Sequence, residues 1–203
     1  MMGPMAASVS TQPKRRLRRG DWVETALQAI ERGGLAAVSV EPLAARLGVT
    51  KGSFYSHFHS RNELIEAALE SWERGRGDTI ERFARIEDPA ERLRQMLREA
   101  IDFSVSGRSS VHVVLLGELG DARVRAAVAR VTESRLRLLT RSYRELGFSS
   151  QRATDRALLV YAIYRGLLQI AREAPERRRG DRGIDRLVAE VSAALVDPVG
   201  SSI

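Results

Sequence analysis

An all-α protein is predicted, with a small N-terminal three-helix unit followed by a larger helical body. Three observations predict it. Apolar residues recur at helical spacing along most of the chain, and no segment alternates as a strand does. Charged residues are 29% of the 203 and aromatics only 5%, which suits helices with one solvated face better than sheets. The stretch from Val38 to Glu63 reads as two short helices about a glycine turn and the start of a third.

The first thirteen residues are small, polar and uncharged, a composition that predicts disorder. They do not make a signal peptide, because no basic segment precedes an apolar one. Lys14-Arg-Arg-Leu-Arg-Arg follows. Two readings stand for it: an arm that reaches phosphates or the minor groove, and a solvated run of charge. Asp21 caps the first helix, with Glu24 three residues on as in a capping box. Trp22, Val23, Ala26, Leu27 and Ile30 form its inner face, and Gly33-Gly34 ends it.

Ser39 is the N-cap of the next helix, Pro42 sits in its first turn, and Gly48 stops it as a left-handed cap. Leu43, Ala44 and Leu47 share its inner face, and Val49 plugs the turn. Thr50 caps a following helix, Lys51-Gly-Ser-Phe-Tyr-Ser-His-Phe, by accepting a bond from a free N–H. Phe54 and Phe58, four apart, face inward. Lys51, Gly52, Ser53, Tyr55, Ser56 and His57 are left outside. That outer set offers a cation, hydroxyls and ring nitrogens of short reach, and a glycine that permits close approach. Such groups bond phosphate oxygens and base edges, and the helix amino end adds free N–H groups. The pattern is that of a helix-turn-helix whose second helix enters the major groove. The other reading is an ordinary helical hairpin with a polar face.

The residues Leu43-Ala44, Leu47-Gly48-Val49, Lys51-Gly52-Ser53-Phe54-Tyr55, His57-Phe58 and Glu63-Leu64 resemble the DNA-binding domain of the TetR family of one-component bacterial regulators. The likeness covers Asp21 to about Trp72; the rest agrees in length and helical character. One departure is Arg61, where the family most often carries Lys. The resemblance divides the chain into a tail and arm (1–20), a helix-turn-helix domain (21–66) and a helical ligand-binding and dimerisation domain (67–203). It implies DNA contact by Val40, Thr50, Lys51, Gly52, Ser53, Tyr55, His57 and Arg61. Thr50, Ser53, Tyr55, His57 and Arg61 would mainly hold phosphates, and Lys51, Gly52 and Ser53 would lie nearest the bases.

Ser60 caps a long helix with Leu64, Ile65, Ala68, Leu69 and Trp72 inside. Gly75 and Gly77 interrupt it, as a loose helix end or as a hinge between reader and body. The resemblance implies that this helix joins the domains and transmits ligand state. Pro89 opens the next helix, with Leu93, Met96, Leu97, Ala100 and Ile101 inside. Gly107-Arg-Ser-Ser breaks the chain, and Ser109 or Ser110 caps a short apolar helix through Leu116. Asp121 caps another, with Val124, Val128, Val131, Leu138 and Leu139 inside and Gly147 at its end. Ser149 or Ser150 starts a helix to about Glu173. From Ala157 to Ile170 it is apolar almost all round apart from Arg165 and Gln169, so it is buried on more than one side. It is too short and interrupted to span a membrane. Pro175 and the run after it form a polar loop. The last helix carries Ile184, Leu187, Val188, Val191 and Leu195 on one stripe and ends at Asp197-Pro198.

The two stripes near the C-terminus want partners: both are core, or one faces a second subunit. The resemblance implies a homodimer through the last two helices, matched to a palindromic operator. It also implies a small-molecule effector in the body. Phe83, Met96, Phe103, His112, Leu116 and Tyr164 are the candidate pocket residues.

The net charge of +7 favours anionic partners. Residues 1–63 hold nine basic and five acidic groups, and residues 64–203 hold twenty-four and twenty-one, so the excess is concentrated toward the helix-turn-helix end. The absence of cysteine excludes disulfides, thiolate metal sites and cysteine redox sensing. His57 and His59, two apart, point to different faces and suit no shared metal. No nucleophile elbow or His-Glu metal signature is present, so no enzyme and no cofactor is expected. The function expected is a cytoplasmic, ligand-released repressor that binds double-stranded operator DNA. The alternative is an architectural or ligand-independent DNA-binding protein.

Overall fold

The computed structural model describes residues 17–105, 110–174, 176 and 180–196. The predicted tail and Lys14–Arg16 of the basic run lie outside the described residues. So do the chain break at 106–109, Pro175, Arg177–Arg179 of the polar loop, and Asp197-Pro198. Among the described residues the molecule is all-α. Its order is α1 (Arg19–Gly33), a 3-10 turn (Leu35–Ala37), α2 (Val40–Arg46), α3 (Lys51–Tyr55), α4 (Arg61–Ala84), α5 (Pro89–Val105), α6 (Val111–Leu116), α7 (Ala122–Glu145), α8 (Ser150–Glu173) and α9 (Asp181–Leu195). No described helix is long and apolar enough to cross a membrane.

Helix ends follow the local chemistry. The side chains of Ser60, Ser110, Asp121 and Ser149 each accept a bond from a free N–H in the first turn of α4, α6, α7 and α8. Gly48 ends α2 at φ +68°. There Val49 N–H donates to Ala44 O and Gly48 N–H to Ala45 O, the paired bonds of a Schellman cap.

Four expectations are corrected. Helix α1 begins at Arg19, because Asp21 occupies its third position and accepts from Arg18 N–H at 2.6 Å rather than capping it. Ser39 and Thr50 are N-caps by position, but neither hydroxyl makes a cap bond. Helix α3 stops at Tyr55, and Phe58 reaches the core from the turn beyond it. Helix α4 is not interrupted at Gly75 and Gly77. A glycine costs about 1 kcal/mol in a helix interior, and packing against α7 offsets it. The Glu73 carboxylate there grips the Arg130 guanidinium with two bonds of 2.7 and 2.8 Å. The 66/67 boundary therefore falls inside one continuous helix.

The core is shared across that boundary. Trp22, Ile30, Leu43, Phe54 and Phe58 form one cluster with Leu64, Ile65 and Trp72 of α4, Leu115 of α6, and Val124 and Val128 of α7. The Trp22 ring meets Phe54 edge-on at 5.4 Å, and Phe54 stacks on Phe58 at 5.6 Å. A second cluster joins Leu93, Leu97, Leu139, Tyr143 and Val160. The stripe of α9 packs inward, with Ile184 and Val188 against Ile101 and Val105 of α5 and with Leu187 and Val191 beside them. Helix α8 carries the outward stripe: Leu158, Leu159 and Ile170 are 58%, 53% and 46% exposed.

Candidate nucleic-acid interface

Three apolar anchors set the pose of α3. Phe54 and Phe58 are buried, and Val49 packs against the same cluster from the turn. With that face fixed, Thr50, Lys51, Gly52 and Tyr55 are exposed at the helix start and one turn on. Tyr55 is 55% exposed, its ring edge-on to Phe54 at 5.2 Å. Ser53 and His57 are half-buried at the margin of this face. Ser56 is exposed, but its hydroxyl is spent on Ser53 O at 2.7 Å.

Lys51 Nζ donates to Glu41 Oε1 of α2 at 2.8 Å. That bond raises the lysine's pKa and lowers the carboxyl's, so both are charged at neutral pH. The pair is solvent-exposed and therefore weak, and Lys51 can exchange Glu41 for a stronger anion. A Cβ on Gly52 would meet nothing closer than Thr50 Oγ1 at 3.6 Å. The chain itself therefore makes no steric demand for glycine there, and the open surface lets another molecule approach the backbone.

Two predicted contact residues sit differently. Val40 is half-buried and packs against the first cluster. Arg61 is exposed but reaches back to the chain: Nε donates to Val38 O and an Nη to Leu35 O. Both acceptors belong to the connector between α1 and α2, so Arg61 braces that connector to the start of α4. Arg19 crosses the same region, with its guanidinium 4.4 Å from the Phe58 ring centre and 3.4 Å from Glu63.

The body grips this connector from the other side. Glu118, in the turn between α6 and α7, accepts from Leu35 N–H with both oxygens at 3.0 and 3.1 Å. Gly34 makes room for it. Its φ is +68°, and a Cβ there would fall 1.8 Å from Glu118 Oε1. Arg123 of α7 reaches Asn62 of α4 at 3.1 Å. Sequence reasoning missed Glu118, since an isolated acid in a turn carries no periodic signal.

A cavity of about 530 Å³ opens between α4, α5, α7 and α8. Phe83, Met96, Phe103 and Tyr164 are among the residues that line it. His112 and Leu116 do not; they sit behind its wall. The His112 ring is stacked between Trp72 at 5.7 Å and Tyr164 at 6.1 Å, while Leu116 packs against the tyrosine cluster of α8. Burial, and then the nearby Arg135, Arg76 and Arg165, push the His112 pKa down to about 2. Its Nε2 lies 3.4 Å from Arg135 Nη1. Because arginine only donates, Nε2 accepts and the proton belongs on Nδ1, which has no partner among the described residues.

Arg76 and Arg135 also line the cavity, and sequence reasoning passed over both. The signal was present. Arg76 follows Trp72 by four, and Arg135 follows Val131 by four, so each is a lone cation on an apolar helix stripe. Reading Gly75 and Gly77 as a break hid the first.

A sequence profile of the bacterial regulatory proteins of the tetR family matches residues 23–68, the span from α1 into α4. A curated relative, the HTH-type transcriptional regulator BetI of Yersinia pestis (strain Pestoides F), is 28% identical over 99 residues. These are 47% of this chain and 48% of that protein, so the match spans about half the relative's length. A TetR transcriptional regulator from Legionella pneumophila superposes with a TM-score of 0.71 at 14% identity, covering 90% of this chain and 98% of that one. AibR, solved in complex with isovaleryl coenzyme A and operator DNA, superposes with a TM-score of 0.64 at 22% identity. There the match covers 89% of this chain and 98% of AibR. At such identities the superpositions establish the fold.

Proposed function

We propose that this chain, which belongs to the TetR family of bacterial regulatory proteins, is a homodimeric repressor that binds a palindromic operator and is released by a small molecule held in its body. One observation carries the DNA-binding part. The face of α3 that bears Thr50, Lys51, Gly52 and Tyr55 is presented outward, while Phe54 and Phe58 fix the helix from behind. In this reading Lys51 leaves Glu41 for DNA, Gly52 lets the backbone approach the groove, and Tyr55, Thr50, Ser53 and His57 hold phosphates. Arg61 acts as a brace rather than a phosphate contact.

The exposed apolar stripe of α8 supports a dimer. Leu158, Leu159 and Ile170 on a water-soluble monomer would be costly to leave wet, and a two-fold copy covers them with the same stripe. The cavity beside α4 supports effector control. AibR, a protein of the same fold, is known with both an acyl-CoA and operator DNA. Release requires that the effector bind the DNA-free form more tightly than the operator-bound one.

Selection of bound sequences from a random duplex library, at roughly physiological salt, tests this reading. Two inverted half-sites about 34–36 Å apart, or a multiple of that, are the expected product. Enrichment of nothing, or only of A·T-rich bendable DNA, would replace it with the architectural one.

A further inference from the structure

The cavity is lined by two guanidinium groups, Arg76 and Arg135, that no carboxylate among the described residues bonds directly. Among the described residues Arg76 has no hydrogen-bond or ion-pair partner. Arg135 bonds no carboxylate among the described residues either: it lies over the Tyr164 ring at 5.4 Å and touches His112 Nε2. Glu99, on the same wall, is engaged by Arg82. Burial and then like-charge repulsion from Arg135 lower the Arg76 pKa, against smaller opposing pulls from Tyr164 and Glu99. The remaining wall is largely apolar, with Ile80, Phe83, Met96, Leu139 and Val160.

Arg76 and Arg135 are both half-buried, and a partly desolvated cation without an anion beside it is costly, the more so with a second cation near. An anion between the two would relieve both at once, through the charge-assisted, fork-shaped bonds that guanidinium favours. Asp102 and the Arg82-paired Glu99 also line the cavity, so a ligand with two negative charges would meet more repulsion there than a monoanion. We infer that the effector is an amphipathic monoanion, a carboxylic acid on an apolar body, with its acid group between Arg76 and Arg135 and its body against Phe83, Met96, Leu139 and Val160. The inference rests on the ligand-controlled reading above and names the class of molecule that reading requires. The lone buried His112 ring fits the same picture. It stays neutral, so it adds no charge of its own and keeps Arg135 poised against Tyr164.

Calorimetric titration of the full chain with four congeners tests this: decanoate, decanamide, decylamine and decyl phosphate. Decanoate should bind at least about tenfold more tightly than the amide and the amine, and no less tightly than the phosphate. Arg76→Gln should erase the preference for acid over amide, with circular dichroism showing the helices intact. The congener series on the unsubstituted chain stands even if that variant fails to fold. Equal affinity for acid and amide, or preference for the amine or the phosphate, would overturn the inference and leave effector control standing. Binding of none of the four would overturn it too. Failure to select a palindrome is a separate result and removes the repressor reading itself.

Discussion

Lys51 and His112 are charged and uncharged for opposite reasons. Lys51 stands in water with a carboxylate beside it, and His112 lies in a stack of rings with cations around it. Lys51→Ala should weaken operator binding and, through the loss of one phosphate contact, reduce the salt slope by roughly one unit. Binding isotherms at several salt concentrations check this, and an unchanged slope would remove Lys51 from the interface. For His112 the sign follows from the lowered pKa. Between its ordinary 6.5 and about 2, the unfolded chain takes up a proton that the folded chain refuses. The stabilising contribution is therefore full above pH 6.5 and is lost as pH falls through that window. At pH 5 it should be about 2 kcal/mol smaller than at pH 8. Urea melts of His112→Phe should show a flatter dependence than the parent between pH 5 and 6.5. The outward residues of α3 were legible in the sequence because Phe54 and Phe58 fix the phase of the helix. The backward reach of Arg61 was not, because its acceptors are main-chain carbonyls, which no side-chain pattern announces.

At the scale of the element, the caps of the longer helices of the body were legible, those of the three-helix unit were not, and the interruption of α4 was misread. Ser60, Ser110, Asp121 and Ser149 start helices because a side-chain oxygen beside a free N–H is a local fact. Whether a glycine breaks a helix is not local, and the lateral packing of α4 on α7 decides it. A Cβ at Gly75 or Gly77 would meet nothing within 4 Å, and neither has a positive φ. Gly75→Ala should therefore stabilise the chain by about 0.5–1 kcal/mol. A lower melting temperature in calorimetry would show that α4 needs a weak point there. The two C-terminal stripes were visible as apolar spacing, but spacing does not say which partner each one meets. The structure sends the α9 stripe to α5 and leaves that of α8 outside.

For the whole molecule, that outcome decides where subunit association is tested. Leu187 and Val191 pack within their own chain, so charges there would damage the fold and report nothing about a partner. Leu159 is 53% exposed and tests the outer face cleanly. Leu159→Glu should give a folded monomer by light scattering, with operator affinity reduced by the loss of one half-site. A persistent dimer would place the subunit contact elsewhere. The helical character of both ends of the chain was legible in the sequence. Their common core was not, since Trp22 of α1 and Val124 of α7 join one cluster from distant parts of the chain and no local spacing announces it.

An unbroken α4 would turn a small change into a large one. Its 24 residues make a rod of ~36 Å at 1.5 Å per residue. The Phe83 end borders the cavity, and the Arg61 end carries the connector and, through it, the α2–α3 pair. Tilting such a rod by about 5° about its Phe83 end sweeps Arg61 through an arc of ~3 Å, close to the 3.4 Å step between bases along one strand. In the homodimer proposed above, two rods related by the two-fold axis would double that error across a site. A small tilt beside the cavity would then become a misfit of more than one base step.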